Sequence, residues 1–267
     1  EVHGADVSLK GYYVNGEPAN VIVPNGEWRE IDSWTSTKDC VEHPHEISGK
    51  LTAGATYRYH EAAAPDGYAY SEDIEFTLDK NGVVADAHYI DENGVTIIYD
   101  EDGYPMDDIK VVTSEGVSSY IYGNDTLTEI DGALYKVTGE GNTLIPGTEG
   151  FKVQIDVVDN VIQMKDAITE VTFTKKDFAG NEVPGADVEL KHYNKSTKTW
   201  ESVDKWTSKS GCDYEHVITG KLTPGESYRY HEEAAPDGYY YSEDIEFTLD
   251  KKGNVTDAHY IDKNGNT

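Results

Sequence analysis

The chain has 267 residues, 37% of them hydrophobic, and a formal net charge of −29. This length accommodates two ordinary domains, and the charge argues against nucleic acid and anionic membrane surfaces as partners, because both would repel the chain. No apolar run is long enough to span a bilayer, so we expect no membrane insertion in this segment. The chain opens at Glu1 without a Met and shows neither a signal peptide nor a wall anchor, and we interpret it as an excerpt from a longer protein.

An internal repeat dominates the sequence. Glu1-Val-His-Gly-Ala-Asp-Val matches Glu182-Val-Pro-Gly-Ala-Asp-Val, and residues 50–94 match residues 221–265 without gaps. Both copies consist of short alternating segments separated by Gly, Pro and Asn. This pattern predicts an all-β fold of two sandwich repeats with little helix.

Each copy contains a strand that ends in a glutamate. In Tyr57-Arg-Tyr-His-Glu61 and Tyr228-Arg-Tyr-His-Glu232, the tyrosines and the glutamate alternate with other residues and share one face. A Pro-Asp-Gly turn follows in both copies, since Pro fixes φ and Gly tolerates a positive φ. The pattern therefore places Glu61 and Glu232 facing inward, where a charge is costly without a partner.

Residues 95 to about 160 have no second copy and form an insertion in the first. Thr96-Ile-Ile-Tyr, Ile109-Lys-Val-Val, Ser119-Tyr-Ile-Tyr and Phe151-Lys-Val-Gln-Ile-Asp-Val predict further strands, separated by turn signals. We interpret this region as a β insertion or a small extra domain.

Two charged residues, Asp166 and Lys175, follow the insertion at positions where the alternating strand pattern predicts apolar side chains. Ile162, Met164 and Asp166 share one predicted strand face, and Val171, Phe173 and Lys175 share another. The pattern alone favours strand ends at which both charges reach solvent.

The two cysteines, Cys40 and Cys212, each follow a Trp-Thr-Ser sequence at the same spacing in the two copies. Equivalent positions in separate domains are rarely close enough to bond, so we predict two unpaired thiols.

The other polar residues of the sequence indicate neither a metal site nor an enzyme active site. Asp100-Glu-Asp-Gly has too few alternating oxygens for a calcium loop, and His43-Pro-His45 is typical of a surface loop. Glu232 with Asp244 could form a glycosidase carboxylate pair, but nothing in the sequence predicts a sugar cleft. We therefore expect no metal, no cofactor and no enzymatic activity.

Several elements resemble the B-type repeats of collagen-adhesin surface proteins, also called SpaA-like or prealbumin-like domains. They are Phe173-Thr-Lys-Lys-Asp with Gly180, Glu182-Val-Pro-Gly-Ala, Glu232-Glu-Ala-Ala-Pro-Asp-Gly-Tyr239, and Ile245-Glu-Phe-Thr-Leu249. Their order covers nearly all of residues 170–260 and, apart from its start, residues 1–92.

The resemblance implies that a strand lysine forms a covalent isopeptide bond with an Asp or Asn on the last strand, assisted by a buried Glu. By this resemblance Lys175 is the lysine, Glu232 and Glu61 are the glutamates, and Asp166 is the acceptor of the first repeat. Asp262 is an alternative acceptor that would complete the second repeat. On the main assignment neither repeat holds a complete trio, so we expect no bond between Lys175 and Asp166 in this segment.

We therefore predict two prealbumin-like β-sandwich domains, residues 1–168 and 169–267. The first would lack its N-terminal strand and carry the insertion of residues 95–160, and the second would lack its last strand. The resemblance implies a structural stalk or adhesin on a Gram-positive cell surface, with a host or matrix protein or glycan as partner. Two alternatives stay open: the insertion is a ligand-binding head, or the repeats are accessory modules of a secreted enzyme.

Overall fold

The structure, a computed structural model, describes residues 2–38, 44–114, 117–155, 157–211, 214–262, 265 and 267. The secondary-structure elements given below for these residues are all β-strands, so the all-β prediction is confirmed. None of the described residues forms a helix that could cross a membrane. Cys40 and Cys212 lie outside the described residues.

The chain divides into two compact units. Unit 1 comprises Glu1–Ala63 and Ser71–Lys165, and unit 2 comprises Ala64–Tyr70 and Asp166–Thr267. The two sequence repeats therefore correspond closely to the two units, with a short loop of the first repeat assigned to unit 2.

Unit 1 is built on one continuous antiparallel path of strands. The strands are β1 (Asp6–Val14), β2 (Glu17–Pro18), β3 (Glu27–Thr35), β4 (Thr56–Ala63), β5 (Asp73–Leu78), β6 (Val84–Ile90), β7 (Thr96–Tyr99), β8 (Pro105–Ser114), β9 (Val117–Tyr122), β10 (Asp125–Ile130), β11 (Ala133–Thr138) and β12 (Gly141–Leu144). The order along the sheet runs from β12 back to β4 and then to β1 and β2, with β3 also paired to β1.

Alternation of side chains explains the core of unit 1. In β5, Ile74, Phe76 and Leu78 are buried while the residues between them are half-buried. These three side chains belong to one apolar cluster with Tyr57 and Tyr89 from the neighbouring strands. The cluster therefore joins β4, β5 and β6 on one face of the sheet.

The insertion continues the sheet and has its own apolar cluster. Ile98, Ile109, Val111, Leu127 and Leu134 are buried together. The predicted strands of the insertion are present up to β12, which confirms its β character.

Residues 151–155 and Val157 do not form the strand that the sequence predicted, apart from one bridge between Lys152 and Tyr99. Phe151 and Val153 pack against the cluster of the insertion, whereas Ile155 and Val157 pack against the cluster of β4 to β6. Because the segment crosses from one cluster to the other, it does not follow a single partner strand.

Unit 2 contains two antiparallel sheets. Its strands are β13 (Glu170–Phe173), β14 (Asp187–Asn194), β15 (Thr199–Thr207), β16 (His216–Thr219), β17 (Ser227–Ala234), β18 (Asp244–Leu249) and β19 (Val255–Ile261). β13 pairs with β16, and the other five strands form a sheet in the order β15-β14-β17-β18-β19.

Phe173 lies at the centre of the unit 2 core. Its ring contacts Trp206, Tyr230 and Phe247, with centroid distances of 5.6, 5.3 and 5.9 Å. Aromatic pairs at these distances favour tilted arrangements, as observed here. The packing fixes the end of β13, and it thereby fixes the direction in which the chain continues to Lys175.

Unit 2 also includes a loop and a connecting segment that precede β13. Within this unit, Ala69 N donates to Ala167 O at 2.7 Å, and Tyr70 N donates to Lys251 O at 2.9 Å. Residues 162–167 form no ladder, so the predicted strand over residues 161–166 is wrong.

Candidate functional site

Lys175 lies two residues beyond the end of β13 and keeps the inward direction of Val171 and Phe173. The extended backbone continues there because Val183 N donates to Lys175 O at 2.9 Å. The lysine side chain is 14% exposed. The structure therefore places Lys175 largely inside unit 2 and not in solvent, where the sequence pattern alone had favoured it.

Glu232, on β17, faces Lys175. Its side chain is 2% exposed, and its Oε1 lies 3.3 Å from Lys175 Nζ. Ser242 N donates to the other oxygen, Oε2, at 2.6 Å. Oε1 accepts no hydrogen bond among the described residues, so the ion pair with Lys175 is its main electrostatic contact.

Ser242 connects the two charged groups. Lys175 Nζ donates to Ser242 Oγ at 2.9 Å, and Ser242 Oγ donates to Glu232 Oε2 at 3.0 Å. The ammonium, the hydroxyl and the carboxylate therefore form a closed triangle, through which a proton can pass from the lysine to the glutamate directly or by way of the serine.

Aromatic side chains form the apolar wall of the site. Tyr230 lies two residues before Glu232 on the same face of β17, and it stacks on Trp206 with centroids 5.7 Å apart. Burial, followed by the nearby Glu232 carboxylate, raises the pKa of the Tyr230 phenol to about 12. Its hydroxyl makes no hydrogen bond among the described residues. Apolar aromatic rings therefore border the site on the side of Glu232.

The first repeat contains the equivalent glutamate. Glu61 is buried on β4, and Ser71 N donates to its Oε2 at 2.7 Å. The Ser71 hydroxyl donates elsewhere, to Glu72 O at 3.3 Å. Glu61 therefore shares the backbone contact that Glu232 makes with its serine.

The structure does not bring either expected acceptor into hydrogen-bond or ion-pair contact with Lys175. Among the described residues, Lys175 forms an ion pair with Glu232 and a hydrogen bond with Ser242. Asp166 is half-buried in unit 2, and burial raises the pKa of its carboxyl to about 6. Asp262 follows β19 and accepts a turn hydrogen bond from Gly265 N at its carbonyl, at 2.9 Å.

Comparison with known proteins adds to this geometry. The sequence profile of the SpaA prealbumin-like fold domain family matches residues 169–264. Residues 169–264 are therefore similar to a SpaA prealbumin-like domain, and we refer to them below as the SpaA-type domain. The match confirms the family resemblance expected for the second repeat. No curated protein sequence matches the chain.

Two solved structures are similar to this chain at low sequence identity and low TM-score. The C-terminal fragment of the pilus adhesin SpaC from Lactobacillus rhamnosus GG is 18% identical over 94% of this chain and 74% of that chain, with a TM-score of 0.33. The shaft pilin SpaA from the same organism is 14% identical over 94% of this chain and 82% of that chain, with a TM-score of 0.26.

The SpaA-type domain contains one site residue that the sequence analysis missed. Ser242 contacts both charged groups. The sequence could have indicated this position, because Tyr70-Ser-Glu-Asp and Tyr241-Ser-Glu-Asp occur at the same place in the two copies. A serine ten residues after a buried glutamate does not by itself predict a contact between them, because the path of the intervening turn decides their distance.

Neither a group of metal ligands nor a pairing of Glu232 with Asp244 is found in the part of the SpaA-type domain that the structure describes. No group of three His, Cys, Asp or Glu residues there could hold a metal ion. Asp244 pairs with His231 at 2.6 Å instead of facing Glu232. The Asp100 carboxylate of unit 1 accepts a turn hydrogen bond from Tyr104 N at 2.9 Å, as an ordinary acidic turn does.

Proposed function

We propose that this chain is a structural segment of a bacterial cell-surface protein, a stalk or adhesin whose domains are cross-linked by intramolecular isopeptide bonds. The observation that carries the proposal is the contact of a largely buried lysine, Lys175, with a buried glutamate, Glu232, in a SpaA-type domain. We place the protein outside the cell, with a host or matrix protein or glycan as its partner.

The chemistry follows from the geometry of the three polar groups. Lys175 transfers a proton to Glu232, and the neutral amine attacks the side-chain carbonyl carbon of an aspartic acid or asparagine. The new N–C bond replaces the C–O bond of the acid or the C–N bond of the amide. Glu232 gives its proton to the leaving group and takes one proton from the attacking nitrogen, so one water leaves from an aspartic acid and one ammonia from an asparagine.

Burial supports the reaction at both ends. A lysine among apolar groups loses part of the preference for its charged form, and a buried carboxylic acid loses part of its preference for ionisation. Asp166 has this property, because burial raises the pKa of its carboxyl to about 6. We assign Asp166 as the acceptor for a lysine of the first repeat that lies outside these residues, and Asp262 as the alternative acceptor for Lys175.

A bond of this kind suits a mechanical role. It joins two strands covalently, so it restricts local opening and proteolysis as a disulfide does, and it needs no oxidising compartment. The high formal negative charge of the chain favours its remaining in solution.

Intact-mass spectrometry of the natural protein tests the proposal. We expect each cross-link to lower the mass by one water or one ammonia. Glu232→Ala and Glu61→Ala should each abolish one such loss, whereas Glu243→Ala, a change at an exposed position next to Ser242, should leave both. A natural protein whose mass equals that of its sequence would show that the resemblance extends to the fold only.

A further inference from the structure

Tyr230 has a buried hydroxyl that the packing of unit 2 does not use. The hydroxyl oxygen is shielded from solvent and makes no hydrogen bond among the described residues. The ring is well packed, with centroid distances of 5.3 Å to Phe173 and 5.7 Å to Trp206. A phenylalanine would keep this packing and would avoid the free-energy cost of burying an unpaired hydroxyl. The contacts of the ring therefore give no reason for the hydroxyl.

The hydroxyl belongs to a side chain that neighbours the lysine and the glutamate. Tyr230 lies two residues before Glu232 on one face of β17, and Phe173 lies two residues before Lys175 on the inward side of its segment. The ring contact of Phe173 with Tyr230 is therefore followed, along both segments, by the contact of Lys175 with Glu232. The phenol thus lies on the side of the ion pair that faces the aromatic core.

The phenol can act there only as a hydrogen-bond donor that keeps its proton. Burial, followed by the Glu232 carboxylate, raises the pKa of Tyr230 to about 12, so the hydroxyl is neutral at pH 7. Glu232 Oε1 is also buried without a hydrogen bond among the described residues, so the two groups do not bond to each other. A fixed, neutral donor beside an amine suits the oxygen of a carbonyl group that the amine attacks.

We propose that the Tyr230 hydroxyl donates a hydrogen bond to the side-chain carbonyl oxygen of the aspartic acid or asparagine that Lys175 attacks. This role rests on the isopeptide chemistry proposed above. When the Lys175 nitrogen bonds to the carbonyl carbon, the electron pair of the C=O π bond moves to the oxygen, which becomes negative. Tyr230 stabilises that charge without giving up its proton. The pair then re-forms the carbonyl as water or ammonia leaves, while Glu232 handles the protons.

Tyr230→Phe tests this role, and Tyr228→Phe is its matched control on the same face of β17. The Tyr228 hydroxyl is already satisfied, because Thr223 N donates to it at 2.6 Å and it donates to Thr223 O at 3.4 Å. The natural protein would be labelled in a short isotope pulse during synthesis and quenched in denaturant at intervals. Mass spectrometry then measures the fraction of Lys175 in a branched peptide. We expect Tyr230→Phe to slow bond formation about a hundredfold, as loss of one oxyanion donor does, and Tyr228→Phe to keep the wild-type rate.

A stability measurement separates this role from packing. Both substitutions would be made in a Lys175→Arg background, because a guanidinium keeps the positive charge and forms no amide. Tyr230→Phe removes a hydroxyl without a partner, so its urea midpoint should stay the same or rise. Tyr228→Phe removes hydrogen bonds to Thr223, so its midpoint should fall.

The outcomes distinguish this proposal from the one on which it rests. Bond formation at the wild-type rate in Tyr230→Phe would overturn the role of the hydroxyl and leave the isopeptide chemistry intact. So would a slower rate accompanied by a fall in the urea midpoint as large as that of Tyr228→Phe, since packing would then explain it. A linear Lys175 peptide in the wild type itself would overturn both proposals.

Discussion

Lys175 Nζ lies 3.3 Å from Oε1 of Glu232, and the two side chains are only 14% and 2% exposed. Removing two charges from water costs free energy that their attraction offsets only when the geometry is good and the remaining polar atoms are bonded. Here Ser242 supplies the additional hydrogen bonds to both groups. Lys175 and Glu232 therefore depend on each other and on Ser242 to remain buried.

Loss of the glutamate should destabilise unit 2. Glu232→Ala leaves the Lys175 ammonium and Ser242 N without their acceptor, and we expect the free energy of unfolding to fall by about 3 kcal/mol. Urea denaturation followed by the fluorescence of Trp206, which lies in the same unit, measures the change. The control is Glu243→Ala at an exposed position of the same loop, which should have little effect. Equal stability of the two variants would show that the ion pair contributes nothing to the fold.

The two repeats offer an internal comparison for the serine hydroxyl. Ser242→Ala removes a hydroxyl that bonds both Lys175 and Glu232, and we expect a loss of about 1 kcal/mol. Ser71→Ala removes a hydroxyl whose hydrogen bond to Glu72 O is long, at 3.3 Å, and involves no charged group, so it should cost less. Thermal unfolding of both variants gives the difference. A larger loss for Ser71→Ala would contradict the role assigned to Ser242.

Asp166 should make stability depend on pH in an unusual direction. Burial raises the pKa of its carboxyl from 3.8 to about 6, so between these values the folded state binds more protons than the unfolded state. The contribution of Asp166 to stability is therefore full below about pH 4 and is lost as the pH rises through 6. Asp166→Asn should raise the melting temperature at pH 7 more than at pH 4. A stabilisation that is the same at both pH values would show that Asp166 is ionised normally.

The thiols give a separate test of the repeat organisation. Cys40 and Cys212 occupy equivalent positions in the two copies, so we expect both to react with a thiol reagent in the monomer after mild unfolding. Peptide mapping under non-reducing conditions checks this. A disulfide between the two within one chain would contradict the assignment of the repeats to separate domains.

Local sequence patterns predicted most of the fold. The period-two alternation of Ile74, Phe76 and Leu78 predicts a half-buried strand, and the same rule predicts that Glu61 and Glu232 face inward. These predictions succeed because strand periodicity is a property of a few consecutive residues.

Features that depend on distant contacts were not predictable. The position of Ser242 at the lysine depends on the path of a loop. The division of Phe151 and Val153 from Ile155 and Val157 depends on two separate apolar clusters. Tyr89 and Tyr260 show the limit most directly, because nearly the same strand sequence is buried in one unit and exposed in the other.

The most direct test of the account is to identify the covalent partner of Lys175. The natural protein would be digested, and the peptide that contains Lys175 would be sequenced by tandem mass spectrometry in the wild type and in Glu232→Ala. We predict a branched peptide in which Lys175 is joined to an aspartate or asparagine with loss of one water or one ammonia, absent from Glu232→Ala. The segment of residues 1–267 should show no bond between Lys175 and Asp166, and a bond to Asp262 there would change the acceptor but not the chemistry. An unmodified, linear Lys175 peptide from the natural protein would contradict the central claim.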